Sequence, residues 1–159
     1  MRDKRFIAEH LGGPLKKSQH YQLIQWACDC SEHVLDLFGE KIDERLKFAL
    51  NVAKKWKQGK ASVGDARKAS LSAIAVANES SNLAALSVAR SVGHAISTAH
   101  MADHSLGGAL YALKAVKLAG SSIDEELQWQ TRELEQLPSE IVELVSETMT
   151  TKRKSLKID

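Results

Sequence analysis

The sequence has little net charge, few cysteines and no long hydrophobic stretch. Its 22 basic and 20 acidic side chains leave a formal charge of +2, so the overall charge indicates neither nucleic acid nor an anionic membrane as a partner. The longest stretch without a charged residue is 91–102, well short of the ~20 apolar residues that a spanning helix requires. No apolar signal-peptide core follows the charged N-terminus. We therefore expect a cytoplasmic protein that binds neither membranes nor nucleic acid.

The two cysteines, Cys28 and Cys30, are too few and too close for a disulfide framework. Residues two apart on a helix point roughly 200° away from each other, which makes an intrahelical disulfide geometrically poor. A structural zinc site would more naturally show Cys-x-x-Cys with two further ligands. We expect one buried thiol and one near the surface, both reduced.

Apolar residues recur at three- and four-residue steps through most of the chain, and no segment alternates with the period of two that is typical of a strand. The middle of the chain is rich in alanine, with 15 of the 20 alanines between positions 66 and 119. Small side chains let helix axes approach closely. The sequence therefore predicts an all-α protein, a single domain over residues 1–159, built as a bundle or helical-repeat-like stack of six or seven helices.

Breaks and capping residues predict where the helices lie. Gly12-Gly13-Pro14 predicts an irregular segment over residues 1–17, and the basic residues 152–159 are expected to form a frayed tail. Residues 83–119 should lie at the centre, with Ile96 and Ala99 buried. The predicted helices are Ser18 to Gly39, Asp43–Gln58, Val63–Asn78, Leu83–His104, Leu106–Ala119, Ser122 to Gln136 and a last helix after Pro138.

Histidines at positions 94, 100 and 104 form the one chemical constellation in the sequence. If 83–104 is one helix, His100, Asp103 and His104 share an arc beside the apolar stripe, whereas His94 points elsewhere. Two imidazoles at i and i+4 with a carboxylate between them could hold a transition metal. The order His-x-x-Asp-His also resembles the zinc-protease pattern His-x-x-Glu-His with a shorter carboxylate. One helix supplies at most three ligands, so His33 is the candidate for a fourth.

Three uses of this cluster stay open: histidines that border the core and are hydrogen-bonded within the fold, a binding surface, and a metal or acid–base site. No complete ligand or nucleophile set can be assembled from the sequence, which favours binding without a cofactor over catalysis. The candidate metal ligands are His100, Asp103 and His104. The candidate binding residues are His33, His94, His100, Asp103 and His104.

Distinctive motifs are spread over nearly the whole chain. They are Gly12-Gly13-Pro14-Leu15, Trp26-Ala27-Cys28, Cys30-Ser31-Glu32-His33, Ser62-Val63-Gly64-Asp65, His100-Met101-Ala102-Asp103-His104, Tyr111-Ala112-Leu113-Lys114 and Trp129-Gln130. In these motifs and their order the chain resembles the immunity-protein-5-like family, small all-helical immunity proteins of polymorphic toxin systems.

The resemblance implies an all-helical domain that neutralises a partner toxin by stoichiometric protein binding, and it implies no catalytic residues. Such binding needs a complementary surface of about 800 Å² on each partner. The alternative is a metal-binding or metal-dependent helical enzyme that uses His100, Asp103 and His104 with a divalent ion. Self-association into a homo-oligomer stays open.

Overall fold

The computed structural model describes residues 3–158, and the chain forms seven α-helices within that range. The described residues contain no β-strand, only one isolated bridge between Ala8 and Leu15. The prediction of an all-α domain is confirmed. None of the helices in this range combines the length and the apolar composition needed to cross a bilayer. The helices are α1 (Lys17–His33), α2 (Glu44–Lys57), α3 (Val63–Glu79), α4 (Leu83–Ser97), α5 (His104–Leu118), α6 (Ile123–Leu134) and α7 (Ser139–Ser155).

Helices α4 and α5 form the centre of the molecule, as an antiparallel pair that packs on α1. Small residues allow the close crossing. The Ser91 hydroxyl donates to the Gly108 carbonyl over 2.6 Å, and a Cβ atom added at Gly108 would lie 3.2 Å from that of Ala27. Ile96 and Ala99 are both buried, as predicted.

Helix α3 packs against the outer side of α4, and α2 packs against α3. The Ser70 hydroxyl lies 2.6 Å from that of Ser97 and also donates to a carbonyl of α4. An ion pair of 2.8 Å between Arg45 and Glu79 joins α2 to the end of α3. The alanine-rich segments therefore form the tightly packed inner layer that the sequence predicts.

The prediction of one helix over 83–104 was wrong, because the chain turns between α4 and α5. The Thr98 hydroxyl donates to the His94 carbonyl over 3.3 Å, a side-chain bond that competes with helix continuation. His20 of α1 forms a hydrogen bond through Nε2 with the Thr98 carbonyl, so that carbonyl is not free to accept from the next helical turn. The turn folds α5 back along α4.

The first predicted helix is shorter than expected. Helix α1 ends at His33, and a 3₁₀ turn over Leu35–Phe38 continues the chain to Gly39. The described part of the segment before α1 contains two 3₁₀ turns, and α1 begins at Lys17, within the segment 1–17. Gly13 fits against the Ile7 backbone in this segment.

The C-terminal residues do not form the frayed tail that the sequence predicts. Residues 152–155 belong to α7, and Ile158 is fully buried. The Arg153 Nε donates to the Ile158 carbonyl over 3.2 Å, and the Lys117 ammonium donates to the Lys157 carbonyl over 2.8 Å. The apolar side chain at 158 and these two bonds hold the segment to the body of the protein. Position 159 lies outside the described residues.

Candidate functional site: the histidine groove and the α1–α6 seam

His94 and His104 meet at the crossing of α4 and α5. Their Nδ1 atoms lie 3.1 Å apart, so the Nδ1–H of one neutral ring donates to the Nδ1 of the other. The His94 ring also stacks on Tyr111, with centroids 5.1 Å apart and an interplanar angle of 19°. A Cβ atom at Gly107 would lie 2.5 Å from the Nδ1 of His94, so glycine is what allows the imidazole to enter the crossing.

The structure brings together three of the four predicted cluster histidines and Asp103. The His100 ring centroid lies 5.5 Å from that of His104, and Asp103 lines the same cavity as His94 and His104. We call this cavity of about 310 Å³ the histidine groove. Its walls come from α4, α5, the turn between them and the end of α7. They are His94, Met101, Asp103, His104, Gly107, Leu110, Tyr111, Lys152, Ser155 and Leu156.

The expectation that His94 points away from His104 was therefore wrong, for the same reason that the single helix was wrong. On one continuous helix the two residues would lie far apart along the axis, whereas the turn at 98–103 places them side by side. The Ser97 and Thr98 hydroxyls each donate to the carbonyl four residues earlier, a pattern that bends helices but does not by itself end one. The candidate metal ligands His100, Asp103 and His104 were predicted from a single helix, so the turn changes which side chains lie next to one another.

His94 is neutral at physiological pH. Burial above all, together with the nearby His104, Arg90 and Lys152, lowers the pKa of its imidazole from 6.5 to about 4. Among residues 3–158, no group of three or more His, Cys, Asp or Glu side chains is placed to hold a metal ion. The arrangement at His94 and His104 is a hydrogen-bonded pair of imidazoles in an open groove.

His33, the predicted fourth ligand, has different partners and does not line the histidine groove. Its Nδ1 lies 2.5 and 2.8 Å from the two carboxylate oxygens of Glu126. Its ring stacks on Trp129, with centroids 3.6 Å apart and planes 2° from parallel. The His33 side chain is 39% exposed, whereas that of Glu126 is 7% exposed. A buried carboxylate thus fixes an exposed imidazole on an indole ring.

This contact belongs to a longer junction that we call the α1–α6 seam, defined by Trp26, Asp29, Glu32, His33, Glu126, Trp129, Gln130 and Glu133. The Trp26 indole donates to the Gln130 carbonyl over 3.1 Å, and the Gln130 amide donates to the Ala109 carbonyl of α5 over 3.0 Å. Those two bonds lock α6 to both α1 and α5. Trp129 is one of the motif residues of the sequence. Glu126, the hydrogen-bond partner of His33, could not be found from the sequence because it lies 93 positions away.

The seam is acidic although the chain is almost neutral. Residues 18–43 carry five acidic side chains and one basic, and residues 120–147 carry eight acidic and one basic. The seam joins only the α1 and α6 parts of these segments, and its defining residues include four acidic side chains, Asp29, Glu32, Glu126 and Glu133, and no lysine or arginine. Burial raises the pKa of Asp29, and the nearby charges of Glu32 and Glu133 raise it further. Lys54 of α2, 3.7 Å from Glu32, borders this surface on one side.

A comparison with protein families identifies one match. The family model described as Imm-5 like putative immunity protein matches residues 13–137, which include α1 to α6, the histidine groove's central pair and the α1–α6 seam. The chain matches no curated protein and no solved structure.

Proposed function

The chain belongs to the Imm-5-like putative immunity protein family, and from this we propose that it neutralises a partner toxin by binding it stoichiometrically in the cytoplasm. The observation that carries the binding role is the exposed imidazole of His33, which stacks on the half-buried indole of Trp129 on the acidic α1–α6 seam. Binding energy at protein interfaces concentrates in a few side chains, and tryptophan is enriched among them.

A fixed aromatic pair is suited to this role because little conformational entropy is lost when a partner covers it. Glu126 sets the ring plane of His33, and Trp129 supports it on one face. The side chain therefore has its bound geometry before the partner arrives. An exposed imidazole on an indole offers both apolar area and a polar edge.

The negative charge of the seam indicates which kind of surface the partner presents. Asp29, Glu32 and Glu133 lie on the two helices that carry the aromatic pair and are close enough to repel one another, and a positively charged surface relieves that repulsion. We therefore propose that the toxin presents lysine or arginine side chains to the seam. Complementary charge of this kind raises the association rate and makes binding sensitive to salt.

The test uses the toxin recovered with this chain in a pull-down from the native host, which is then co-expressed with it in a laboratory bacterium and purified for calorimetry. We expect survival of the co-expressing cells, a 1:1 complex, and weaker binding at higher salt. Trp129→Ala and Glu133→Lys should each weaken the complex by about 2 kcal/mol or more. Glu143→Lys makes the same charge change on an exposed position of α7 and should leave affinity unchanged.

Failure of the wild-type chain to bind or protect would contradict the immunity role. Binding that tolerates Trp129→Ala and Glu133→Lys would place the contact elsewhere. The remaining predicted binding residues are His94, His100, Asp103 and His104. They are tested in the same assay by His104→Ala, at a wall of the histidine groove, which changes affinity only if the groove also contacts the toxin. Self-association is checked by light scattering of the free protein.

A further inference from the structure

The histidine groove contains two nitrogen atoms at the spacing that a single metal ion requires. Zinc binds imidazole nitrogen at ~2.0–2.1 Å, so two such ligands at bond angles between square and tetrahedral lie roughly 2.8–3.4 Å apart. The Nδ1 atoms of His94 and His104 are 3.1 Å apart. An ion can therefore replace the proton that now lies between the two rings, once the rings turn to direct both Nδ1 lone pairs at the ion.

Both ligands are held in position by the fold. Tyr111 stacks on the His94 ring, and the absence of a Cβ atom at Gly107 leaves room for its Nδ1. His104 is the first residue of α5, at the end of the turn that follows α4. These contacts fix the distance between the two nitrogens, and a fixed pair of ligands binds an ion more tightly than two mobile ones.

The groove also has space for the rest of the coordination shell. Its volume of about 310 Å³ admits several water molecules, each of which occupies roughly 30 Å³. The positive charges of Arg90 and Lys152 disfavour a cation near His94. The carboxylate of Asp103, which lines the same groove, favours a cation. Arg90 and Lys152 therefore lower the affinity of the groove for a cation.

We propose that His94 and His104 bind one divalent transition metal ion of the zinc class through their Nδ1 atoms, with water completing the shell. Imidazole nitrogen suits zinc, copper, nickel and iron better than it suits magnesium or calcium. On binding, the ring that donates through Nδ1–H takes its proton on Nε2 instead, so two neutral imidazoles both present a lone pair to the ion. The ligand pair differs from the set expected for a single helix.

The experiment titrates Zn²⁺ alone into protein without a histidine tag and follows binding by calorimetry. We expect one ion per chain with a micromolar dissociation constant, and no such binding of Mg²⁺. His94→Gln and His104→Gln should each weaken Zn²⁺ binding by more than about tenfold. His10→Gln removes an exposed histidine of the N-terminal segment and should change nothing.

A second measurement keeps the proposal testable if a groove variant folds poorly. Nitrogen NMR of the imidazoles in the wild-type protein should show Zn²⁺ shifting the Nδ1 signals of His94 and His104. The proposal is overturned if no ion binds at one equivalent, if His10→Gln weakens binding as much as the groove variants do, or if the shifted signals belong to other histidines. None of these readouts depends on the toxin, so this proposal and the immunity role can fail separately.

Discussion

At the scale of single residues, His94 makes the stability of the fold depend on pH. Its imidazole has a pKa of about 4 in the folded chain, chiefly because it is buried, and about 6.5 when unfolded. The unfolded state therefore binds more protons between these two values, and the free energy of unfolding decreases as the pH falls through this window. Above pH 6.5 the stabilisation of the neutral form is complete.

We predict that acidification from pH 7 to pH 4 lowers the free energy of unfolding by roughly 3 kcal/mol through His94 alone. Urea unfolding at a series of pH values measures this slope. The slope should become shallower in His94→Gln, because the titrating group is gone, and should be unchanged in His10→Gln. Identical slopes in the wild type and His94→Gln would contradict the prediction.

Both thiols are buried, contrary to the expectation of one near the surface. Cys28 is 4% exposed and Cys30 is fully buried, and neither is in a disulfide. Helix α1 is covered by α4 and α5 on one side and by α2 on another, so residues on opposite faces of this helix both lie in the core.

Native protein is therefore expected to react very slowly with a thiol reagent. Burial raises the pKa of Cys28 to about 12 and that of Cys30 well above its usual value, and only the thiolate is the nucleophile. Labelling with Ellman's reagent should yield two equivalents in denaturant and almost none in the native state over the same time. A thiol that reacts rapidly in native protein would show that α1 is less well covered than the structure indicates.

At the scale of elements, helices whose ends depend on local capping could be predicted, and the one break that depends on a distant residue could not. Asp43 and Ser62 cap α2 and α3 through side-chain oxygens, and both helices begin where the sequence predicts. The end of α4 involves His20, which lies 78 positions before Thr98. No periodicity within α4 contains that information, so the pairing of His94 with His104 was missed too.

The N-terminal segment depends on a glycine for close approach rather than for unusual backbone angles. A Cβ atom at Gly13 would lie 2.0 Å from the Ile7 carbonyl oxygen and 2.5 Å from the carbon of that carbonyl. Backbone atoms cannot move aside as a flexible side chain can. We predict that Gly13→Ala lowers the free energy of unfolding by about 1–3 kcal/mol.

The loss of unfolding free energy in Gly13→Ala is compared with that in two other glycine-to-alanine variants, each measured by chemical unfolding. Gly12→Ala has open space but a φ of 86°, so a cost of about 1–2 kcal/mol is expected. Gly64→Ala lies in α3 with only the Ser62 hydroxyl near, at 3.5 Å, and should stabilise the helix by roughly 0.5–1 kcal/mol. A Gly13→Ala protein as stable as Gly64→Ala would contradict the packing of this segment.

At the scale of the whole molecule, the net charge of +2 is the sum of acidic and basic side chains that lie in different segments of the chain. Residues 44–68 carry eight basic and two acidic side chains, whereas the two segments that meet at the α1–α6 seam are acidic. Composition alone could not reveal this, because the sum over the chain cancels. The pairing of α1 with α6, fixed by Trp26 and His33, is what turns two separate acidic stretches into one surface.

The C-terminal residues also contact an element that is distant in sequence, since the Lys117 ammonium of α5 donates to the Lys157 carbonyl. Ile158 is fully buried, and its carbonyl accepts from Arg153. Replacing a buried isoleucine by alanine typically costs about 2–5 kcal/mol, since apolar burial is lost and a cavity remains. We predict a loss of that size for Ile158→Ala, measured by urea unfolding. Lys154→Ala, at an exposed position of α7, should have an effect within about 0.5 kcal/mol. Equal stability of Ile158→Ala and the wild type would support the frayed tail that the basic composition of residues 152–159 predicts. In that case nothing after α7 would hold in place the wall of the histidine groove that Lys152, Ser155 and Leu156 form.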